Sequence, residues 1–411
     1  MSAVLDRFLD YIQLDTTSRE ESETYPSSPN QLEFGRRLVQ ELQGLGLNQV
    51  RQDEHGYVTA IIPATREGGP VLGLLTHMDT SSAVSGEQIQ ARLVEYMGGS
   101  ILLNEDKQIV MRSEDFPFLA DCIGKTLVVT DGTTLLGADD KAGVAEVVTL
   151  AERLMAPDAP PHGEVRIAFT PDEEISGGTR YFDIPGFGAD FAYTVDGGPI
   201  GELEYETFNA ATATIEIYGR SIHPGAAKGK MVNAAAVACE LQSMLPPEEQ
   251  PVFTEGHQGF YHLLSVHGEV EHCTMKIALR EHDGEKFQAQ KDRLNGIAQT
   301  LNGRWGEGTV SMTIRDQYYN MRPVIEKHME VVDQAVSAFR ACGIEPHIQP
   351  VRGGTDGARL SLAGLPCPNL STGGYNFHSR FECIPVESME CMVDVLTKLV
   401  CSFGEEGVSH V

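Results

Sequence analysis

The chain has 411 residues, 41% of them hydrophobic, and its 59 acidic residues against 31 basic ones give a formal net charge of −28. The length exceeds what one hydrophobic core usually serves, so two domains are expected. The negative charge excludes nucleic-acid binding and disfavours anionic membranes, and no apolar run approaches the roughly 20 residues of a membrane helix.

The first 200 residues alternate between helix and strand patterns. The apolar spacing of residues 32–42 predicts a helix that ends at a Gly-Leu-Gly segment, and residues 142–154 predict another. Short apolar runs bounded by turn residues predict buried strands of an α/β sheet. These runs are 57–62, 71–75, 165–169 and 191–195.

A different order of elements follows in residues 207–319. Strands are predicted at 211–218, 262–270, 273–279 and 309–314, and helices at 231–244 and 286–301. The order β-α-β-β-α-β is that of a ferredoxin-like unit. We therefore expect this α+β unit to be inserted in an α/β domain formed by residues 1–206 and 320–411, with further helices at 326–342 and 388–401.

The eight cysteines indicate a reducing environment. They include no C-x-x-C pair, which argues against zinc-ribbon and thioredoxin-type sites. Their density is low for a disulfide-stapled secreted domain, and the first residues lack the pattern of a signal peptide. We therefore expect free thiols and a cytoplasmic protein. The cysteines are Cys122, Cys239, Cys273, Cys342, Cys367, Cys383, Cys391 and Cys401.

Two motifs at the ends of apolar segments combine histidine and aspartate. His77 and Asp79 are two positions apart, so in extended chain they face the same way, and Asp79 could orient a metal-binding His77. A turn with a hydrogen-bonded histidine is an equal alternative. Asp139 and Asp140, flanked by glycines, precede a predicted helix. Alone they favour a helix cap, although adjacent carboxylates also suit a bridging metal ligand.

Further acidic and histidine residues follow other predicted strands. Asp172, Glu173 and Glu174 would repel each other unless they are solvated or hold a cation. One glutamate could bind a metal while the other acts as a general base on a water; a solvated acidic loop is as good a reading. Asp196 ends another strand and His378 follows a glycine turn, and each alone indicates little.

Together, two histidines and three carboxylates suit a pair of divalent ions that share one ligand. At these motifs the sequence resembles the co-catalytic zinc metallopeptidases, the family that includes aminoacylases and glutamate carboxypeptidases. The matching segments span most of the chain in the family's order. They are 77–79, 135–143, 168–174, 193–198, 223–229, 316–321, 352–357 and 372–378.

The resemblance implies two zinc ions, with cobalt or manganese as possible substitutes, and one bridging carboxylate. The ligands would be His77, Asp139 and Asp196 for one ion, and Asp139, Glu174 and His378 for the other. Glu173 would be the general base, and Asp79 would clamp the imidazole of His77. The implied fold is a mixed-sheet zinc-peptidase catalytic domain with an inserted ferredoxin-like lid or dimerisation domain.

The residue at position 196 refines the implied activity. Within the family, Asp rather than Glu here goes with the aminopeptidase and dipeptidase branches. The resemblance implies an aminopeptidase that removes the N-terminal residue of tripeptides, with short peptides as its partners. The alternatives are a related dipeptidase or N-acyl-amino-acid amidohydrolase and, at a greater distance, a non-catalytic binding protein on the same fold.

Four residues are candidates for substrate binding. In related enzymes a histidine at the position of His223 reaches the reacting carbonyl, often across a dimer, and would stabilise an oxyanion; the alternative is a turn histidine. Asn233, Arg280 and Arg352 could bind the substrate carboxylate or peptide carbonyls, or be structural. Only Arg352, beside two glycines, has a setting that favours binding. A homodimer through the inserted domain is possible.

Overall fold

The structure, a computed structural model, describes residues 2–403; Met1 and residues 404–411, the two ends of the predicted catalytic domain, lie outside the described residues. Its α-helices are α1 Ala3–Tyr11, α2 Pro29–Gly44, α3 Ala138–Met155, α4 Ile184–Phe187, α5 Ala234–Ser243, α6 Gly284–Trp305, α7 Arg322–Ile325, α8 Met329–Ala341, α9 Asp356–Leu362 and α10 Val386–Ser402. Short 3-10 turns lie at Pro117–Cys122, Glu173–Ile175, Pro224–Ala226 and Pro251–Phe253.

The strands group into four sheets. They are β1 Asn48–Gln52, β2 Val58–Ile62, β3 Leu72–His77, β4 Arg92–Glu95, β5 Ile101–Asn104, β6 Ile109–Met111, β7 Thr126–Val129, β8 Val165–Thr170, β9 Phe191–Gly197, β10 Glu202–Glu204, β11 Asn209–Tyr218, β12 Phe260–Gly268, β13 His272–Glu281, β14 Val310–Tyr318, β15 His347–Ile348, β16 Asn369–Ser371 and β17 Cys383–Pro385. Two compact units are distinguished: Glu206–Arg322 with Pro350–Gly354 form one, and the rest of the described chain forms the other.

The first unit contains an eight-stranded mixed sheet in the order β1-β2-β8-β3-β9-β16-β10-β15. Its four central strands, β8, β3, β9 and β16, run parallel. Every residue of β3 is buried, as expected for a parallel strand covered on both faces. The predicted α/β class with a mixed sheet is confirmed, and the carboxyl ends of these four strands lie at one edge of the sheet.

Helix α3 packs closely against this sheet because of a glycine. A Cβ atom on Gly143 would lie 2.1 Å from the carbonyl oxygen of Val195 in β9, so no larger residue fits without a shift. At the start of α3, Asp139 and Asp140 have non-helical backbone angles. The predicted helix over 142–154 is therefore present, preceded by an irregular turn that carries both aspartates.

Two small sheets of the first unit were not predicted from the sequence. They have the orders β17-β7-β4 and β5-β6 and enclose a separate hydrophobic cluster. Phe118 stacks on Tyr375 with ring centroids 4.3 Å apart, and Phe116 packs on Phe381 at 5.0 Å. Aromatic side chains thereby brace both ends of the segment that carries His378.

The second unit has a four-stranded antiparallel sheet in the order β12-β13-β11-β14, with α5 and α6 packed on it. Its β-α-β-β-α-β order and strand arrangement are those of a ferredoxin-like fold. The unit extends beyond the expected residues 207–319 and includes Pro350–Gly354, which no local pattern of residues indicates.

Two predicted helices begin later than expected. Helix α5 starts at Ala234 rather than 231, because the side chain of Asn233 accepts a hydrogen bond from the Ala236 N–H and caps the helix there. The predicted helix 326–342 starts at Met329, because tight hydrogen bonds from the N–H groups of Lys327 and His328 end α7 first.

Free thiols are found, as predicted, at Cys122, Cys239, Cys273, Cys342, Cys367, Cys383 and Cys391. In the part of the chain that the structure describes, none of the helices combines the length and apolar character needed to cross a membrane.

Candidate metal centre

The carboxyl ends of four parallel strands bring four of the five predicted ligands to one edge of the sheet, and the fifth, Asp139, lies in the turn that begins α3. His77 is the last residue of β3, and Asp196 lies near the end of β9. Glu174 lies in the 3-10 turn that follows β8, and His378 follows β16. This edge is where ligands collect in open α/β sheets.

Five side chains form two candidate ligand sets, which share Asp139. In the first set, His77 Nε2 lies 2.9 Å from Asp139 Oδ1 and 3.3 Å from Asp196 Oδ1. In the second, His378 Nε2 lies 2.9 Å from both Asp139 Oδ2 and Glu174 Oε2. Across residues 2–403 these are the two groups in which three or more such side chains could hold a metal ion.

The donor set fits a pair of borderline divalent ions. Imidazole nitrogen and carboxylate oxygen are ligands of zinc, cobalt and manganese. His77 Nδ1 lies 3.0 Å from the main-chain oxygen of Asp79, a contact that places the ring proton on Nδ1 and leaves Nε2 free to coordinate. Glu174 Oε1 is buried and has no hydrogen-bond partner among the described residues, which suits a ligand atom.

Asp79 makes two kinds of contact. Its carboxylate Oδ1 lies 3.4 Å from His77 Nδ1, farther than its own main-chain oxygen. The same carboxylate accepts the backbone N–H groups of Glu173, at 3.0 Å, and Glu174, at 3.2 Å. Asp79 therefore ties the end of β3 to the acidic turn after β8, a contact that the spacing of the sequence could not reveal.

The carboxylates and histidines of the two ligand sets, together with Glu173, have shifted pKa values that favour the binding of cations. Burial, followed by the charges of Asp356 and Asp196, raises the pKa of Glu173 well above its usual range. Burial also raises the pKa of Asp196 to about 7. Hydrogen bonds to Asp139 and Glu174 raise the pKa of His378 to about 11. Divalent cations would favour the ionised carboxylates and the neutral imidazoles.

A buried contact with the N-terminal segment holds the acidic turn in place. Asp172 has a left-handed φ of 56° and is 1% exposed. Its carboxylate accepts hydrogen bonds from the N–H and hydroxyl of Ser27 and from Gln31 Nε2, and its N–H donates to Gln31 Oε1. In the sequence Asp172 is one of three adjacent acids, whereas in the structure its buried hydrogen bonds anchor the turn.

The four predicted substrate-binding residues belong to the second unit. His223 is exposed, and its Nδ1 accepts the Gly225 N–H at 3.2 Å. Asn233 uses its side-chain oxygen to cap α5. Arg280 donates to the Leu279 carbonyl at 2.9 Å and lies over the ring of Tyr318.

Arg352 is already engaged by its own unit. Its guanidinium donates to the carbonyls of Gly256 and Gln258 and to the hydroxyl of Thr254. It also lies over the rings of Phe208 and Phe260, with centroid distances of 5.2 and 5.5 Å. These contacts give Arg352 a structural role, and its contact with substrate stays a prediction, as it does for the other three.

The sequence has close relatives among curated proteins. A Peptidase T of Caldanaerobacter subterraneus is 52% identical over 409 residues, which cover 99% of this chain and 100% of that protein. A Peptidase T of Halothermothrix orenii is 52% identical over 402 residues, covering 97% and 98%.

Solved structures share the fold. The aminopeptidase PepT of Bacillus cereus matches with a TM-score of 0.78 at 23% identity and covers 98% of each chain. A tripeptidase of Staphylococcus aureus matches with a TM-score of 0.76 at 23% identity, covering 97% of each. The family model described as Peptidase family M20/M25/M40 matches residues 128–402. The chain therefore belongs to peptidase family M20/M25/M40 and is a peptidase.

Proposed function

We propose that this peptidase is a di-zinc aminopeptidase that hydrolyses the N-terminal peptide bond of tripeptides. The observation that carries the proposal is the pair of ligand sets sharing Asp139, next to the acidic turn that carries Glu173. Relatives that are about half identical over nearly the whole chain are named Peptidase T, and similar solved structures are described as an aminopeptidase and a tripeptidase.

Each of the two candidate ligand sets is proposed to bind one metal ion. One ion would be held by His77, Asp139 and Asp196, and the other by Asp139, Glu174 and His378. Zinc is the proposed metal, with cobalt or manganese as substitutes, because these ions accept mixed nitrogen and oxygen ligands. When bound, the ions supply Lewis acidity, which polarises the scissile carbonyl and lowers the pKa of a water molecule.

Glu173 is the proposed general base. Its carboxylate would accept a proton from the attacking water and later deliver one to the leaving amine. Burial, the first cause, raises the pKa of Glu173 well above its usual range, and such a shift is typical of a group that accepts and returns protons. The bond from its N–H to Asp79 fixes the backbone that carries it.

Among the candidate substrate residues, His223 is best suited to stabilise charge that develops on the substrate. Its ring is exposed and its described hydrogen bond occupies only Nδ1, so Nε2 is available to donate. The proposed roles of Asn233 and Arg280 in binding the peptide rest on the family resemblance. Arg352 already donates three described hydrogen bonds, so its guanidinium has few donors left for a substrate.

We also propose a cytoplasmic location and a homodimer formed through the second unit. Free thiols among the described residues suit a reducing compartment. The outer strand β12 carries Leu264 and Val266, which are 51% and 43% exposed, and an apolar edge strand can pair with another chain. Light scattering of the purified protein tests the dimer, since a monomer at all concentrations contradicts it.

The activity is tested by product analysis. The zinc-loaded protein is incubated with a tripeptide, a dipeptide and an N-acetylated tripeptide, and the products are identified by mass. The proposal expects one free amino acid and a dipeptide from the first substrate and little product from the other two. Rapid cleavage of the dipeptide indicates a dipeptidase, release of acetate an amidohydrolase, and bound zinc without any turnover a binding protein.

A further inference from the structure

Glu382 is a buried carboxylate that neither the ligand sets nor the proposed mechanism uses. It is 2% exposed, and three backbone N–H groups point at it. Oε2 accepts from Leu136 at 2.7 Å and from Gly137 at 2.9 Å, and Oε1 accepts from Asp139 at 3.1 Å. Both carboxylate oxygens are thus engaged by backbone N–H groups of one short segment, so this contact holds the turn that carries Asp139 in place.

The other end of the contact lies in the segment that carries His378. The N–H of Tyr375 donates to the carbonyl of Cys383 at 2.9 Å, and the N–H of Cys383 donates back at 3.1 Å. This pair closes the loop 376–382, which has His378 inside it and Glu382 at its end. The Glu382 side chain therefore joins the loop that carries His378 to the turn that carries Asp139. Asp139 is the residue that both ligand sets share.

The geometry explains why the residue is a glutamate. Gly137 has a left-handed φ of 78°, which lets neighbouring N–H groups converge on one anion. Three donors need both oxygens as acceptors, whereas the amide of glutamine has one oxygen and an NH₂ group that would face a donor. The three described hydrogen bonds of Glu382 all come from backbone N–H groups of this turn.

We infer that Glu382 is a positioning residue of the metal centre, which fixes Asp139 and His378 relative to each other. The inference rests on the proposed metal roles of those two residues. Groups that orient metal ligands without binding the metal typically contribute 10- to 100-fold in metal affinity. Since Asp139 belongs to both ligand sets, its displacement would weaken the binding of both ions.

The test compares Zn²⁺ affinity in Glu382→Gln and wild type, by titrating each metal-free protein against a chromophoric chelator. The variant is expected to bind both Zn²⁺ ions about 10- to 100-fold more weakly. The matched control is Glu281→Gln, since Glu281 is also a buried carboxylate that accepts a backbone N–H, that of Asp283 at 3.2 Å, but belongs to the second unit. Its Zn²⁺ affinity should equal that of wild type.

Each result decides a different point. Equal affinity of Glu382→Gln and wild type overturns the inference while the proposed function stands. A wild type that binds no Zn²⁺ overturns the proposed function, and the inference with it. If the variant does not fold, hydrogen exchange of the zinc-loaded wild type replaces it: strong protection of the Leu136, Gly137 and Asp139 amides supports the contact, and exchange at unprotected rates overturns it.

Discussion

The carboxylate of Asp79 accepts the backbone N–H of Glu173 at 3.0 Å. Asp79 therefore contacts both the proposed metal ligand His77 and the backbone of the proposed general base. In Asp79→Asn, one acceptor oxygen becomes an NH₂ group that faces an N–H donor of the acidic turn. We expect kcat on a tripeptide to fall about 10- to 100-fold, the range found for residues that orient a metal site.

The matched control for this substitution is Asp53→Asn. Asp53 also accepts two backbone N–H groups, those of His55 and Tyr57, but it does so in an exposed turn. Steady-state kinetics should show kcat of the control within about twofold of wild type. An equal loss of kcat in both variants would mean that Asp79 acts only through general stability.

Glu173 and Glu174 are neighbours with different proposed roles, and substitution separates them. Glu173→Gln should lower kcat by about 10²- to 10⁴-fold, the usual contribution of a general base, and still bind two zinc ions per chain. Glu174→Gln should weaken the binding of one zinc ion, since Glu174 Oε2 belongs to a ligand set. Elemental analysis with kinetics measures both, and near-normal turnover in Glu173→Gln contradicts its role.

The sequence predicted the parts of the site that lie at strand ends. His77 follows an apolar run that is buried throughout, and such a run followed by a polar residue marks the carboxyl end of a parallel strand. Strands β3, β8 and β9 and helix α3 were predicted in the same way. Each of these elements is indicated by the apolar spacing of its own residues, so it can be predicted without knowledge of distant contacts.

Contacts between distant segments could not be predicted from one sequence. Gln31 lies 141 positions from Asp172, and Glu382 lies 243 from Asp139; neither spacing has a local pattern. The small sheets were missed for another reason: strand β4 has four residues, three of them exposed, so it shows no apolar run. Short strands of this kind are defined by their partners rather than by their own residues.

The hydrogen bonds between Gln31 and Asp172 predict that the N-terminal segment supports catalysis. In Gln31→Leu, the Asp172 carboxylate loses one donor and its N–H loses its acceptor. Leaving buried groups unpaired costs about 1–3 kcal/mol of unfolding free energy. Because the acidic turn would shift, we also expect kcat to fall at least about tenfold with little change in KM.

Gln52→Leu is the comparison for this prediction. Gln52 is half-buried in the same unit and donates to the carbonyl of Leu32, at 3.2 Å, away from the acidic turn. Urea unfolding should show some loss of stability in both variants, and only Gln31→Leu should lose turnover. Full activity of Gln31→Leu would remove the support that we assign to this contact.

Two glycines predict opposite effects of the same substitution. In Gly143→Ala, the new methyl group would lie 2.1 Å from the carbonyl oxygen of Val195, beside the proposed ligand Asp196. Overpacking of this kind costs about 1–3 kcal/mol. In Gly303→Ala, within the exposed part of α6, the methyl group has nothing within 4 Å, and the helix should gain about 0.5–1 kcal/mol. Thermal unfolding measures both, and equal shifts contradict the close approach of α3 to β9.

His282 provides a prediction about pH. Its ring is 5% exposed, and its Nδ1 lies 3.1 Å from the carbonyl of Thr207, while Nε2 is buried without a described partner. Burial lowers the pKa of His282 to about 4, although the nearby Glu206 opposes the shift and His257 and Arg352 add to it. The folded state therefore binds this proton less readily than the unfolded state, whose histidine has a pKa of about 6.5.

The sign of the pH effect follows from that difference. A depressed pKa in the folded state contributes stability that is present above about pH 6.5 and is lost as the pH falls toward 4. We expect His282→Phe to be less stable than wild type at pH 7, because the bond to Thr207 is gone, yet to lose less stability between pH 6.5 and 4.5. Urea midpoints across this range measure the effect, with the exposed His262→Gln as the control. Parallel pH curves for wild type and His282→Phe would show that His282 takes up its proton equally well in both states.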